Sequence, residues 1–382
     1  MNLDTKKKIC FIVPSVGTAR SFLKEPIRYL SNDFDVYLVS NIAESDDLSD
    51  MLLAGYKSIP IERRLNLVVD FKALSMLLAY FREMNFDSVH SLTKKSSLLT
   101  TIAGRLARVP YRLHHFTGQV WATMKGIKRF VHKRIDDFIV WSDTHMLVDG
   151  FSQLEYLQKE GILKIGQATV LANGSICGVN TERFCKNEAV RNKIRNKLNI
   201  SEDSVVFIFL GRLKREKGIY ELFEAFNDIV STCYNAKLLL VGADEESCID
   251  SLHKYKNLKI NDNVVYYGAT PKPEELYNSA DIYVLPTYRE GFGLSILEAS
   301  SVGLPVITTD TYGVRDSIIE GTTGLRCKTQ DVKSLSECMT ILYGDKEQRE
   351  KLGQNGVNYV QEKFTIQTVC EAWLNYYLNV VK

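Results

Sequence analysis

The chain has no apolar run near the roughly 18 residues that a membrane-spanning helix needs, so an integral membrane protein is not expected. Its N-terminus, Met1 to Lys8, leads straight into a strand-like run without the layout of a secretory signal, and a cytoplasmic location is expected. No Cys-x-x-Cys pair and no Cys/His cluster of zinc spacing occurs among the 8 cysteines, so they are expected as reduced, mostly buried residues without a structural metal. The Walker phosphate-loop signature is absent. So is a Gly-x-Gly-x-x-Gly after a strand, which disfavours NAD binding. No Asp-x-Asp follows the C-terminal end of a predicted strand, and neither metal nor organic cofactor is expected. There are no repeats of about 20–50 residues and no low-complexity tract.

What is present is an ordinary globular composition, 45% hydrophobic and 25% charged, in 382 residues, comfortable for two domains. The net charge of +2 is unevenly spread. A basic excess gathers at Lys125, Lys128, Arg129, Lys133 and Arg134, just after Trp121. A basic amphipathic helix reads as a membrane-surface contact, and a solvated helix face paired with Asp136 and Asp137 reads equally from the same residues. No nucleic-acid partner is expected.

Short apolar runs alternate with helical patterns along the whole chain. Strands are predicted at 8–13, 35–39, 87–90, 111–115 and 138–141, with helices at 71–84 and 96–108. After residue 200 the pattern restarts, with strands at 204–210, 237–242, 263–268, 281–286 and 305–309 and helices at 218–231, 245–256 and 273–279. Such alternation means parallel sheets covered on both faces. Two doubly wound domains follow, 1–176 and 177–363, joined through the glycine-containing stretch 173–180, which suits a hinge. The last helix, 366–380, has an apolar face long enough to return to the first domain, so 364–382 are assigned there.

Three segments could carry chemistry. Arg289-Glu290-Gly291-Phe292-Gly293-Leu294 follows a predicted strand and opens a helix that includes Glu298. Open α/β sheets place ligands at such strand ends. Glycines there admit close backbone approach, helix-start N–H groups can hold phosphate, and carboxylates accept from sugar hydroxyls. A plain strand–turn–helix with a helix-favouring glutamate fits the same spacing. The loop Gly211 to Gly218 places Arg212 and Lys217 beside a helix start, a pairing that suits a diphosphate as well as a solvated basic turn. His114 and His115 end a first-domain strand, where they could meet a sugar hydroxyl or be satisfied core residues. Gly17, in the first strand-to-helix turn, could let an acceptor approach the backbone, or simply serve a tight turn.

Together, Gly211-Arg212-Leu213, Lys217-Gly218, Glu290-Gly291-Phe292-Gly293 and Glu298 resemble the GT-B glycosyltransferases of family four, whose E-x(7)-E signature Glu290 and Glu298 would carry. The resemblance runs over essentially the whole chain. The segments Phe116 to Thr123 and Asn173 to Asn180 resemble its bacterial capsular-polysaccharide and O-antigen branch. The resemblance implies a GT-B fold of two Rossmann-like domains facing across a cleft. It implies a retaining hexosyl- or N-acetylhexosaminyltransferase that uses a nucleotide-sugar donor, with UDP expected. Arg212 and Lys217 would bind the diphosphate, Glu290 the transferred sugar, the backbone from Gly291 to Leu294 sugar and phosphate, and Glu298 the ribose. His114 matches the family's cleft histidine better than His115. Many relatives have a double glycine where this chain has Val16-Gly17. The implied acceptor is a lipid-linked saccharide of capsule, O-antigen or lipopolysaccharide synthesis at the inner membrane face. A nucleotide-sugar epimerase of the same fold, and a non-catalytic subunit that binds sugar or lipid carrier, are the alternatives.

Overall fold

A computed structural model describes residues 6–62 and 66–382. The chain forms two compact units, one of Met1–Gly178 with Ile366–Lys382 and one of Val179–Thr365.

The first unit holds strands β1 (Lys7–Ile12), β2 (Phe34–Ser40), β3 (Gly55–Ser58), β4 (Ser88–Leu92), β5 (Tyr111–Phe116), β6 (His145–Val148) and β7 (Ala168–Val170). They form one parallel sheet in the order β3-β2-β1-β4-β5-β6-β7. Its helices are α1 (Val16–Phe22), α2 (Lys24–Leu30), α3 (Leu67–Met84), α4 (Lys94–Leu106), α5 (Gly126–Ser142) and α6 (Phe151–Lys159). The second unit holds α7 (Glu188–Lys197), β8 (Val205–Leu210), α8 (Ile219–Ile229), β9 (Ala236–Val241), β10 (Val264–Gly268), α9 (Pro273–Ser279) and β11 (Ile282–Leu285). It continues with α10 (Leu294–Val302), β12 (Val306–Thr309), β13 (Gly324–Cys327), α11 (Val332–Gly344) and α12 (Lys346–Lys363). Its parallel sheet runs β10-β9-β8-β11-β12-β13. The last helix, α13 (Ile366–Val380), belongs to the first unit.

The central strands are apolar almost throughout because helices cover both faces. Val206 to Phe209 in β8 and Ile282 to Val284 in β11 are fully buried. Helix α8 contributes Leu222, Phe223, Phe226 and Ile229, one stripe at helical spacing, to the same core. Helix α13 anchors through Trp373 and Tyr377, one turn apart, whose rings pack against Phe11 of β1 and His90 of β4.

Three local expectations are corrected. Residues 138–141 are helical, part of α5, with Ile139 and Val140 buried and Trp141 exposed. A four-residue apolar run does not discriminate strand from helix, and the strand that follows is His145–Val148 instead. Residues 245–256 do not form an α-helix. The Asp244 carboxylate accepts from the backbone N–H of Cys248 (2.8 Å) and Ile249 (2.9 Å), and only a short 3-10 segment, Ile249–Lys254, survives. Gly17 lies within α1, one residue past the turn, where Ser15 caps the helix by accepting from Thr18 N–H. A Cβ at Gly17 would meet only Ser15 Oγ at 3.9 Å, so nothing in the described structure requires glycine there.

Candidate functional site

In each sheet the strand order reverses once. In the second unit the reversal falls between β8 and β11, with β9 and β10 on one side and β12 and β13 on the other. Loops leaving two such strands diverge to opposite faces and open a crevice at the strand C-termini. The loop after β8 carries Arg212 and Lys217, and the loop after β11 carries Glu290. Lys217 and Glu290, 73 positions apart, are thus brought together by sheet order.

The two loops are stitched by backbone and side chain. Tyr288 N–H (2.9 Å) and Thr287 Oγ1 (3.2 Å) both donate to the Glu216 carbonyl. The Glu216 carboxylate accepts from Arg289 (2.8 Å) and Lys214 (3.1 Å). Burial raises the Glu216 carboxyl, but Arg289 and Lys214 together hold it below its ordinary value. Gly218 sits where the loops touch, at φ +73°, and a Cβ there would lie 1.9 Å from the Pro286 carbonyl oxygen. Only glycine permits that approach. Gly313, at φ +85°, does the same beneath Glu290, whose carbonyl oxygen would be 2.3 Å from an added Cβ.

This stitching sets Lys217 against Glu290. The Lys217 ammonium forms an ion pair with Glu290 Oε1, each side chain only 17% exposed. Arg212 pairs with Glu245 at 3.2 Å in a far more open setting, 47% and 39% exposed. Helices α8 and α10 start beside these groups at Gly218 and Gly293, and neither start has a side-chain cap. Their free N–H groups and dipoles favour an anion. Phe292 points away from this surface, buried with its ring 5.4 Å from that of Phe364. It therefore offers a ligand only its backbone.

Glu298 lies one turn into α10. Tyr277 Oη donates to its Oε2 at 3.2 Å, and the same hydroxyl lies 3.2 Å from the Ser295 carbonyl. Burial pushes the Glu298 carboxyl up to about 7, while Tyr277 and Arg183 draw it down and Glu274 raises it further. A carboxyl poised there gains from hydroxyl donors that would stabilise its ionised form. Tyr283 Oη, 2.8 Å from Ser295 Oγ, ties α10 to β11. Glu216, Arg289, Glu245, Tyr277 and Gly313 were not picked out from the sequence. A charged residue within Lys214-Arg215-Glu216-Lys217 was visible there, but its partner, Arg289, is assigned only by the fold.

In the first unit, His114 and His115 take opposite faces of β5, as neighbours on a strand must. His114 is 3% exposed, with its ring 4.3 Å from that of Phe116. Burial, then His115 and Lys94, push its imidazole down to about 3, so it is neutral, and its Nδ1 has no protein partner. His115 stacks 5.9 Å from His90 and lies tilted 5.6 Å from Trp373, with Nε2 3.0 Å from Asp149 Oδ1. Both histidines line a small cavity with Thr93, Lys94, Gln119 and Asp136. Thr93, at φ +72°, is a β-branched residue in a region such residues rarely occupy. Lys94 and Asp136 form a buried pair at 2.8 Å, and Trp121 Nε1 donates to the same carboxylate.

The basic stretch of α5 is largely neutralised. Arg129 (2.7 Å) and Lys133 (3.0 Å) both bind Glu160, and Arg134 binds Asp137 at 3.0 Å. Among the described residues Lys125 and Lys128 make no ion pair. Beside the exposed Lys128 and Arg134 the helix also exposes apolar side chains: Ile127 (82%), Phe130 (61%) and Trp141 (65%). No helix of the described residues is long and apolar enough to cross a membrane.

Two parallel doubly wound units, with cations and uncapped helix starts at the switch point of the second, form an arrangement whose chemistry suits an anionic ligand at strand ends. The comparisons make this specific. Residues 190–359 match the family described as glycosyl transferases group 1. Over 381 residues the chain is 32% identical to the capsular polysaccharide biosynthesis glycosyltransferase CapM of Staphylococcus aureus, covering 99% of this chain and 98% of that protein. It is 25% identical to the UDP-Gal:alpha-D-GlcNAc-diphosphoundecaprenol alpha-1,3-galactosyltransferase of Escherichia coli, covering 86% of this chain and 85% of that one. In fold it is similar to the Anabaena HepE protein solved with UDP-glucose, with a TM-score of 0.81 at 15% identity over 98% of this chain and 100% of that one. The chain belongs to the group 1 glycosyltransferases, with the GT-B fold and with relatives in capsule and undecaprenol-linked saccharide synthesis.

Proposed function

We propose that the protein transfers a hexosyl or N-acetylhexosaminyl group, with retention at the anomeric carbon, from a UDP-sugar to a lipid-linked saccharide in capsule or O-antigen assembly. The observation that carries this reading is the meeting of Lys217 and Glu290 from two loops at the β8/β11 switch point. A cation for the leaving diphosphate and an acceptor for sugar hydroxyls stand side by side there, next to two uncapped helix starts. Arg212 joins Lys217 on the diphosphate, the backbone from Gly291 to Leu294 lies against sugar and phosphate, and Glu298 takes the ribose hydroxyls. The names of relatives support donor and acceptor: the Escherichia coli enzyme's name carries UDP-Gal and a diphosphoundecaprenol saccharide.

Negative charge develops on the leaving diphosphate in the transition state. Fixed positive groups stabilise it without reorganisation, which makes Lys217 and Arg212 catalytic as well as binding residues. The departing phosphate oxygen deprotonates the acceptor hydroxyl on the same face, so no protein nucleophile is needed. At the end of β5 the neutral His114 has a free ring nitrogen for a sugar hydroxyl. Contact with the bilayer runs through Ile127 and Phe130 of α5 with Lys125 and Lys128, rather than through the paired bases. The test of the transfer reading is incubation with UDP-sugars with and without lipid-linked acceptors. Transfer to acceptor is expected, and an epimerised sugar formed without acceptor would overturn it. The Glu290→Ala variant is expected to lose at least about tenfold in transfer, the worth of one charge-assisted hydrogen bond. Near-normal turnover would remove Glu290 from the site.

A further inference from the structure

The Lys217–Glu290 pair has a consequence for which ligands the site holds. On the functional reading above, which this inference rests on, each partner is needed by a different part of the donor: the ammonium by the diphosphate, the carboxylate by the sugar. In the described structure each satisfies the other. Neither can swing away freely, because the loops that carry them are joined through Glu216 to Thr287, Tyr288 and Arg289 and by the close approach of Gly218 to Pro286. We propose that Glu290 competes with the diphosphate for Lys217, so that the site holds a sugar-bearing donor and releases the spent nucleoside diphosphate.

The physical reason is the asymmetry of a mostly buried pair. Drawing off one partner leaves the other charge desolvated and unmatched, which is far costlier than the pair itself is worth. A nucleotide sugar that takes Lys217 onto its phosphates supplies Glu290 with hydroxyl donors in exchange. A nucleoside diphosphate takes Lys217 and supplies nothing, so Glu290 draws the lysine back. After transfer the sugar leaves with the acceptor, and the same competition weakens the hold on the product. The pair of Arg212 with Glu245 does not discriminate in this way. Both of those side chains are widely exposed, and water satisfies Glu245 when Arg212 moves.

The test is a double-mutant cycle read by calorimetric titration of the intact protein with UDP, and with UDP-GlcNAc and UDP-Gal. Glu290→Gln keeps the shape and removes the competing charge. It is expected to bind UDP about fivefold tighter, the upper end for an ion pair with access to water, while its affinity for the better UDP-sugar falls. The wild-type preference for donor over UDP then shrinks or reverses. In a Lys217→Met background the Glu290→Gln change is expected to move UDP affinity less than about twofold, since the competition needs both partners. Unchanged or weaker UDP binding by Glu290→Gln would overturn the proposal. Equal tightening with and without Lys217 would also overturn it, because bulk repulsion between Glu290 and the diphosphate would then explain the effect. If the wild-type protein binds neither UDP nor GDP, the nucleotide-sugar reading itself fails and takes the exchange with it. Binding of GDP alone moves the same cycle to GDP.

Discussion

The strand-end surfaces of the two units are built on opposite principles. In the second unit the groups at the switch point are charged and paired with one another: Lys217 with Glu290 and Glu216 with Arg289 and Lys214, all partly buried, and Arg212 with Glu245 in the open. In the first unit the corresponding surface holds two histidines in an aromatic setting, His114 with its imidazole held low by burial, and one buried ion pair, Lys94–Asp136, lining the same cavity. A diphosphate carries fixed charge and calls for fixed countercharge in a partly dry site. A saccharide hydroxyl needs only a hydrogen-bond donor or acceptor, which a neutral imidazole supplies at a lower desolvation cost than a charged group. On the proposed function, the contrast separates a surface suited to charge from one suited to hydroxyls and apolar contact.

Substitutions can break that contrast. The largest effect is expected at Lys217. Lys217→Met removes the charge opposite the developing negative charge and should lower kcat about a hundredfold, the scale of losing one preorganised electrostatic contact. His114→Ala, measured with the same donor and acceptor, should act mainly on the acceptor KM. Equal kcat losses at the two positions would erase the distinction between the units.

A middle-sized effect concerns pH. The Glu298 carboxyl is raised to about 7 by burial from an ordinary value of 4.5. The folded protein therefore binds more protons at this position than the unfolded chain between those two values. Stability contributed here is lost as pH rises through that window and is level above about 7. Denaturant unfolding at pH 5 and pH 8 should show the loss, and Glu298→Gln should flatten it. Donor affinity should move the other way, rising toward pH 7 as the carboxylate that accepts ribose hydroxyls forms. A slope that survives Glu298→Gln would assign the titration to another group.

The smallest effect sharpens the reading of the first unit's surface. With anionic vesicles, Ile127→Asp and Phe130→Asp should reduce cosedimentation more than Arg129→Glu. Arg129 is already spent on Glu160, whereas Ile127 is 82% and Phe130 61% exposed, with the Arg134 guanidinium 5.3 Å from the Phe130 ring. A reversed order would restore a mainly electrostatic contact.

Much of this was legible in the sequence for identifiable reasons. The alternation of apolar runs with helical patterns is enforced by burial on two faces, so two doubly wound units followed from hydrophobicity. The glutamates at 290 and 298 and the cations at 212 and 217 stood at strand-to-helix junctions, and their positions were marked by neighbouring glycines. Residues 138–141 were misread because a short apolar run is compatible with either period. The helix expected at 245–256 was lost to Asp244, whose side chain competes for the N–H groups a helix would use.

By itself the sequence determined the central strands of both sheets, the strand ends beside the candidate residues and the chemical types that gather there, because those depend on local periodicity and turn chemistry; the short strands β3, β6, β7 and β13 were not marked in it. Partnership was decided only by the tertiary structure. The order β10-β9-β8-β11-β12-β13 puts the loops after β8 and β11 on either side of one crevice. Gly218 lets them touch, and Lys217 thereby meets Glu290 rather than solvent. The same packing commits Arg129 and Lys133 to Glu160 and leaves Ile127, Phe130 and Trp141 exposed beside Lys128 and Arg134. Charge along a chain is a list of groups. What each charge does depends on which other charge and how much water the fold leaves beside it.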